Sequence, residues 1–449
     1  MSRVRNADIR SELRPVARLM KLTFTASGAA TFEKYDRQCV KKYRGKWKSR
    51  NTIAEEKAIV REDGTILRLL VVRCEEGTRA EATGLLWLHD GGFAFGVPEQ
   101  ESLLVDMFCG DGSCVAVLPD YTKSTESPYP YALEDCHKAL LWMKNNAEEL
   151  GINRSQLFVG GSGAGGGLTA ALCLRARDVR DVNIAFQMPI SPMLDDRMES
   201  ESARDNNAPV WDSRKNRAAW DLYLQDMNEE IPVYAAPGRE EDVHGLPAAC
   251  SIVGDLEPVK DETVLYFTRM KKAGIPVSLR VYHGCFHNFE NTAVNSNVAL
   301  NAHRYLVDSF RYAQHHYFAH NKVAPPPEAF AESMRQPEAE QAPAEETTAS
   351  IAEQAPAEET TASIAEQAPA EETTASIAEQ APVEETAGPI VEQAPVEETA
   401  VPIAEQAPVE EAAEPISEQA LAEEVTETAA TPAHTEDVEE SATGQEAAE

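Results

Sequence analysis

The sequence predicts an α/β protein, a doubly wound and mostly parallel sheet with helices on both faces, followed by an acidic tail. Three observations carry this expectation. Short apolar runs alternate with helical stretches from about residue 84 onward. One run, "QLFVGGSGAGGGLTAAL" at 156–172, passes through a glycine-rich bend straight into an apolar helix. The composition also breaks at Lys322: about 31 of the 34 net negative charges lie beyond it, leaving roughly -3 for residues 1–322.

Taken in order, residues 1–50 read as a helical, partly basic segment. "GLLWLHD" (84–90) and "SCVAVLPDYT" (113–122) are uninterrupted apolar runs, the pattern of strands covered on both faces. "YALEDCHKALLWMKNNAEELG" (131–151) has helical periodicity and stops at Gly151. Further strands are expected at 156–161, 183–191, 248–255 and 277–284, with helices at 165–177, 259–273 and 291–317. Residues 195–245, with "WDSRKNRAAWDLYL", interrupt the rhythm. Like 1–50, they are a candidate lid over the C-terminal edge of the sheet, where such folds place their sites.

The chain thus divides into a helical or lid segment (1–50), a catalytic-type domain (51–322, with the insertion at 195–245) and a tail (323–449). The tail repeats "SIAEQAPAEETTA" about every 13 residues, marked by Ile351, Ile364, Ile377, Ile390, Ile403 and Ile416. A proline in each copy and one charge sign throughout predict a disordered, extended segment. Its partner cannot be read from these residues.

The near-neutral body lacks the basic excess that nucleic acid requires, and the tail would repel it. No segment reaches ~18 apolar residues in a row, and the N-terminus has no signal-type apolar run. Eight cysteines lie scattered in apolar segments without a C-x-x-C pair, which argues for free thiols and against a zinc site. The expectation is a cytoplasmic protein with no metal and no cofactor.

Four short motifs then occur in order: "HDGGF" (89–93), "GSGAGGG" (161–167), "EPVKDE" (257–262) and "FHNF" (286–289). Together they resemble the α/β-hydrolases of the hormone-sensitive-lipase-like carboxylesterase family over residues 80–310. Members carry an H-G-G-G oxyanion segment, a G-x-S-A-G-G nucleophile elbow, a D-P-L-x-D-E acid motif and a final H-G-F. The resemblance implies a nucleophile, an acid and a histidine in that chain order near 162, 257 and 287. It implies ester hydrolysis with no cofactor, on a small-molecule ester or another apolar ligand. A hydroxyl is a weak nucleophile until an imidazole takes its proton, and the imidazole needs an acid to fix its tautomer.

His287 corresponds to the family's general base. Two acids, Asp255 and Glu257, lie two residues apart, and the match to the family's motif places the acid at Glu257. The oxyanion hole would be built from the amides of Gly91 and Gly92 with that of Ala164. Asp90 departs from the pattern by standing where the family has glycine. Unpaired and ~6 Å from a developing oxyanion, it would cost ~3 kcal/mol at an effective dielectric of ~20, unless it points away.

The elbow departs most. Aligned without a gap on either side, Ser162 takes the variable position and Gly163 takes the nucleophile's. A one-residue slip instead makes Ser162 the nucleophile, with Ala164 in the second glycine's place. The two alignments lead to different functions. Under the slip, Ser162, Glu257 and His287 form an imperfect triad in a short-acyl esterase. Without it, Gly163 at the nucleophile position leaves the activity weak or lost, and the silent form keeps a ligand pocket. An interaction protein acting through its acidic tail is a third reading.

Overall fold

The computed structural model describes residues 3–23, 28–227 and 230–319. The repeat tail expected at 323–449 lies outside the described residues. In order come α1 (Arg14–Thr23), α2 (Ala29–Tyr43), β1 (Thr52–Val60), β2 (Ile66–Cys74), β3 (Ala82–Leu88), α3 (Ser102–Cys109) and β4 (Cys114–Pro119). There follow α4 (Tyr131–Asn145), α5 (Ala147–Leu150), β5 (Ile152–Ser162), α6 (Gly163–Val179), β6 (Phe186–Ile190) and α7 (Ser213–Tyr223). The described residues end with β7 (Ala248–Gly254), α8 (Lys260–Lys272), β8 (Val277–Tyr282), α9 (Phe289–Thr292) and α10 (Asn297–His316).

The strands form one eight-stranded sheet in the order β1-β2-β4-β3-β5-β6-β7-β8. β2 runs antiparallel to both β1 and β4, and every pairing from β4 to β8 is parallel. The apolar runs are explained by cover on both faces. Along β3, Leu86 and Leu88 point into one core with Leu140, Leu168 and Leu172 of α4 and α6. Leu85 and Trp87 point into the other with Phe108, Leu306 and Phe310 of α3 and α10. Successive side chains alternate across the sheet, so each needs its own apolar partner layer.

The antiparallel pair β1–β2 is the element the sequence reading did not anticipate. β1 reads "TIAEEKAIV" and is the sheet's edge, with most of its residues exposed or half-buried. Its polar content hides it from a search for apolar runs. The described residues of 195–245 contribute α7 and long irregular stretches, and those of 3–43 are largely helical. Among the described residues no helix is long and apolar enough to cross a membrane.

Candidate active site

The site gathers where β3, β5, β7 and β8 end. β5 finishes at Ser162, and the next residue, Gly163, has φ +53° before the chain enters α6. This left-handed residue marks the apex of the strand-to-helix turn, so the apex is glycine and no side chain projects from it. The turn is tight: a Cβ on Gly165 would stand 2.1 Å from the Leu88 carbonyl. Ser162 faces elsewhere. It is buried, and among the described residues its hydroxyl has no hydrogen-bond partner, His287 included.

Glu257 and His287 are brought together. Glu257 is fully buried in the turn after β7, where Oε1 accepts from the Gly254 amide at 2.6 Å and from the Ser191 hydroxyl at 3.0 Å. Its Oε2 lies 2.6 Å from His287 Nδ1, on the loop between β8 and α9. The alternative acid serves a different group: Asp255 lies 2.5 Å from the exposed His283 Nδ1 and accepts from the Gly284 amide at 2.7 Å.

The other ring nitrogen of His287 meets Asp90. Nε2 is 3.2 Å from Asp90 Oδ2, while Asp90 Oδ1 accepts from the Gly91 amide at 2.6 Å and the Ala164 amide at 3.1 Å. Of the three amides expected to line an oxyanion hole, two therefore converge on one carboxylate oxygen of the protein itself. Gly92 does not join them. A Cβ built on Gly163 would lie 2.0 Å from that same Oδ1, so the carboxylate fills the space above the empty apex. Ala164 opens α6, and an anion at a helix N-terminus is favoured by its unpaired amides and dipole.

The loop carrying Asp90 is held in place from several sides. Its carbonyl accepts from Gln100 Nε2 at 2.9 Å, and its amide donates to Glu101 Oε1 at 3.3 Å. His89 stacks on Tyr121 with centroids 4.1 Å apart, and the Tyr121 hydroxyl donates to the His89 carbonyl at 2.9 Å. Gly91 must be glycine here: at φ +141° its Cβ would overlap the Phe95 carbonyl at 1.7 Å.

Charge follows geometry. Burial pulls His287 down, but the charge of Glu257 and the hydrogen bonds His287 donates to both carboxylates outweigh it and push its pKa up to about 10. Burial raises Asp90, yet the hydrogen bond and charge of His287, with the two amides, hold it below its usual value. The group is thus an imidazolium clasped between two carboxylates. Glu101, next to Asp90, is pushed by burial up to about 7.

Above the clasp lies a cavity of about 300 Å³, lined by Met20, Tyr43, Phe95, Trp211, His287 and Asp90 among others. That is the lower end of small-molecule sites. Met20 and Tyr43 come from the helical N-terminal segment and Trp211 from the 195–245 insertion. The sequence analysis missed Met20, Tyr43 and Glu101 as lining residues. No motif marks a residue that reaches a site only through the packing of a distant helix.

A family model described as alpha/beta hydrolase fold matches residues 85–291. Esterase LipI of Mycobacterium tuberculosis is 30% identical over 222 residues, covering 47% of this chain and 67% of the relative. The arylesterase of Saccharolobus solfataricus is 29% identical over 214 residues, 46% of this chain and 67% of that protein. Among solved structures, a bacterial heroin esterase superposes with TM-score 0.63 at 28% identity, covering 69% of this chain and 98% of its own. Fold, motif order and relatives agree: the chain belongs to the alpha/beta hydrolase fold family, as a carboxylesterase-like hydrolase of the hormone-sensitive-lipase type.

Proposed function

We propose that this protein has lost the serine route to ester hydrolysis and keeps the family's pocket for a small, largely apolar molecule. The observation that carries the reading is Asp90: its carboxylate accepts from the Gly91 and Ala164 amides and meets His287 Nε2. A substrate carbonyl oxygen finds those donors taken, and an attacking hydroxyl is missing at the Gly163 apex. Removing one oxyanion donor costs an esterase about 10²–10³ in rate, so loss of both donors and the nucleophile leaves little.

The weak-esterase alternative needs Ser162 at the apex beside His287. The buried, unpartnered hydroxyl speaks against it. The test is a fluorophosphonate probe together with a p-nitrophenyl butyrate assay on the full-length chain. The expected result is no labelling and background hydrolysis. Stoichiometric labelling of Ser162 would overturn the reading.

A further inference from the structure

From the clasp of Asp90, His287 and the two backbone amides we infer a hydrolytic activity of another kind: Asp90 is a carboxylate nucleophile that opens terminal epoxides bearing an apolar substituent, giving vicinal diols. The inference rests on the proposed loss of the serine route and names what the remaining groups do.

The two oxygens of Asp90 have different surroundings. Oδ1 is fixed by the Gly91 and Ala164 amides at 2.6 and 3.1 Å, and among the described residues Oδ2 is held by His287 alone at 3.2 Å. Only Oδ2 is available to attack. The side chain is 18% exposed and lines the cavity, whose wall combines Met20, Phe95, Val210 and Trp211 with polar groups, so an electrophile can reach it there. Carboxylates act as covalent nucleophiles in other enzymes, provided a later step can cleave the ester they form.

The cycle closes in two steps. Oδ2 attacks the less substituted ring carbon and forms a C–O bond. The ring C–O bond breaks, and its electron pair goes to the alkoxide oxygen on the adjacent carbon. His287 Nε2–H, released from Oδ2, gives its proton to that alkoxide. The product is a hydroxyalkyl ester of Asp90, and His287 is neutral. Esterification also removes the Asp90 charge that helped hold the imidazole protonated.

Neutral His287, oriented by Glu257 at 2.6 Å, then takes a proton from water as the water oxygen attacks Asp90 Cγ. The tetrahedral oxyanion develops on Oδ1, which already sits between two amides. Collapse expels the diol's alkoxide and His287 returns its proton to it; the Asp90 acid so formed then passes its proton to His287, which regenerates the original carboxylate and imidazolium. The balance is epoxide plus water to diol, with no other co-reactant.

The hole that an ester substrate cannot enter is therefore placed to hydrolyse an ester of the protein's own carboxylate. The route uses the asymmetry of the carboxylate, one oxygen held by two amides and the other by His287. Cys39, a second nucleophile type lining the cavity, has its thiol pushed up to about 11, by burial first and then by Asp36. It stays protonated and does not compete.

The test uses the full-length chain in excess over styrene oxide in water enriched in oxygen-18, read by mass spectrometry. The expected first-turnover diol carries unlabelled oxygen, and the peptide containing Asp90 gains one heavy oxygen. Asp90→Ala should lower diol formation by on the order of 10³-fold or more. Label in the diol with none in Asp90 would overturn the covalent route. No diol formation would also overturn it while leaving the lost serine route standing. Diol formation abolished by Ser162→Ala, together with probe labelling of Ser162, would overturn both readings.

Discussion

Restoring a serine at the apex does not by itself restore an esterase. A Cβ on residue 163 would lie 2.0 Å from Asp90 Oδ1 and 2.4 Å from its Cγ, so Gly163→Ser must evict the carboxylate. Eviction breaks the hydrogen bonds from the Gly91 and Ala164 amides and the contact with His287. Breaking a buried pair of this kind costs about 3–5 kcal/mol. A non-glycine residue at φ +53° adds roughly 1–3 kcal/mol. The single variant should therefore be destabilised and inactive. Asp90→Gly/Gly163→Ser removes the obstruction, frees both amides and lets His287 fall back towards the range of a general base. Hydrolysis of p-nitrophenyl butyrate should rise at least about 10²-fold over either single variant, the scale of one oxyanion donor. The readouts are the initial rate and a thermal melt of all four proteins. A stable, active Gly163→Ser would refute the placement of Asp90. A folded but inert double variant would refute the claim that only these two positions block the serine route.

Ser162→Ala should leave the melting temperature unchanged or raise it, because the hydroxyl is buried without a partner; a drop of several degrees would reveal a partner. Glu257→Gln should destabilise by about 3–5 kcal/mol in denaturant unfolding, since it strips the charge from a fully buried acid paired with His287, whereas Asp255→Asn, facing the exposed His283, should cost little. Equal losses would mean that the acid is misassigned. Stability should also depend on pH through His287. Its pKa is raised to about 10 in the folded chain against about 6.5 unfolded, so the stabilisation is full below about pH 6.5 and is lost as pH rises towards 10. The difference between wild type and Asp90→Asn in denaturant midpoint should shrink across that window; a constant difference would show that His287 is not protonated by this pair.

Much of this protein was legible in the chain itself. The alternation of apolar runs and helices marks the parallel sheet because strands covered on both faces must be apolar at every position. The four motifs in order locate the ends of β3, β5, β7 and β8, and the gap-free match around the bend already puts glycine at 163. The edge strand β1 was not legible, because an edge strand has only a partial apolar signature; β2, an apolar run covered between β1 and β4, carried the signal and was passed over. The role of Asp90 was not legible either. The sequence shows a carboxylate beside the expected hole, but whether it points away or into the hole depends on groups from three separate segments. Gln100 and Glu101 fix its backbone, Ala164 offers an amide across the turn, and His287 arrives from the far end of the domain. Local residue order determines which side chains are present. Only their convergence in space determines that a charged group, costly to bury alone, finds enough hydrogen-bond donors here to stay.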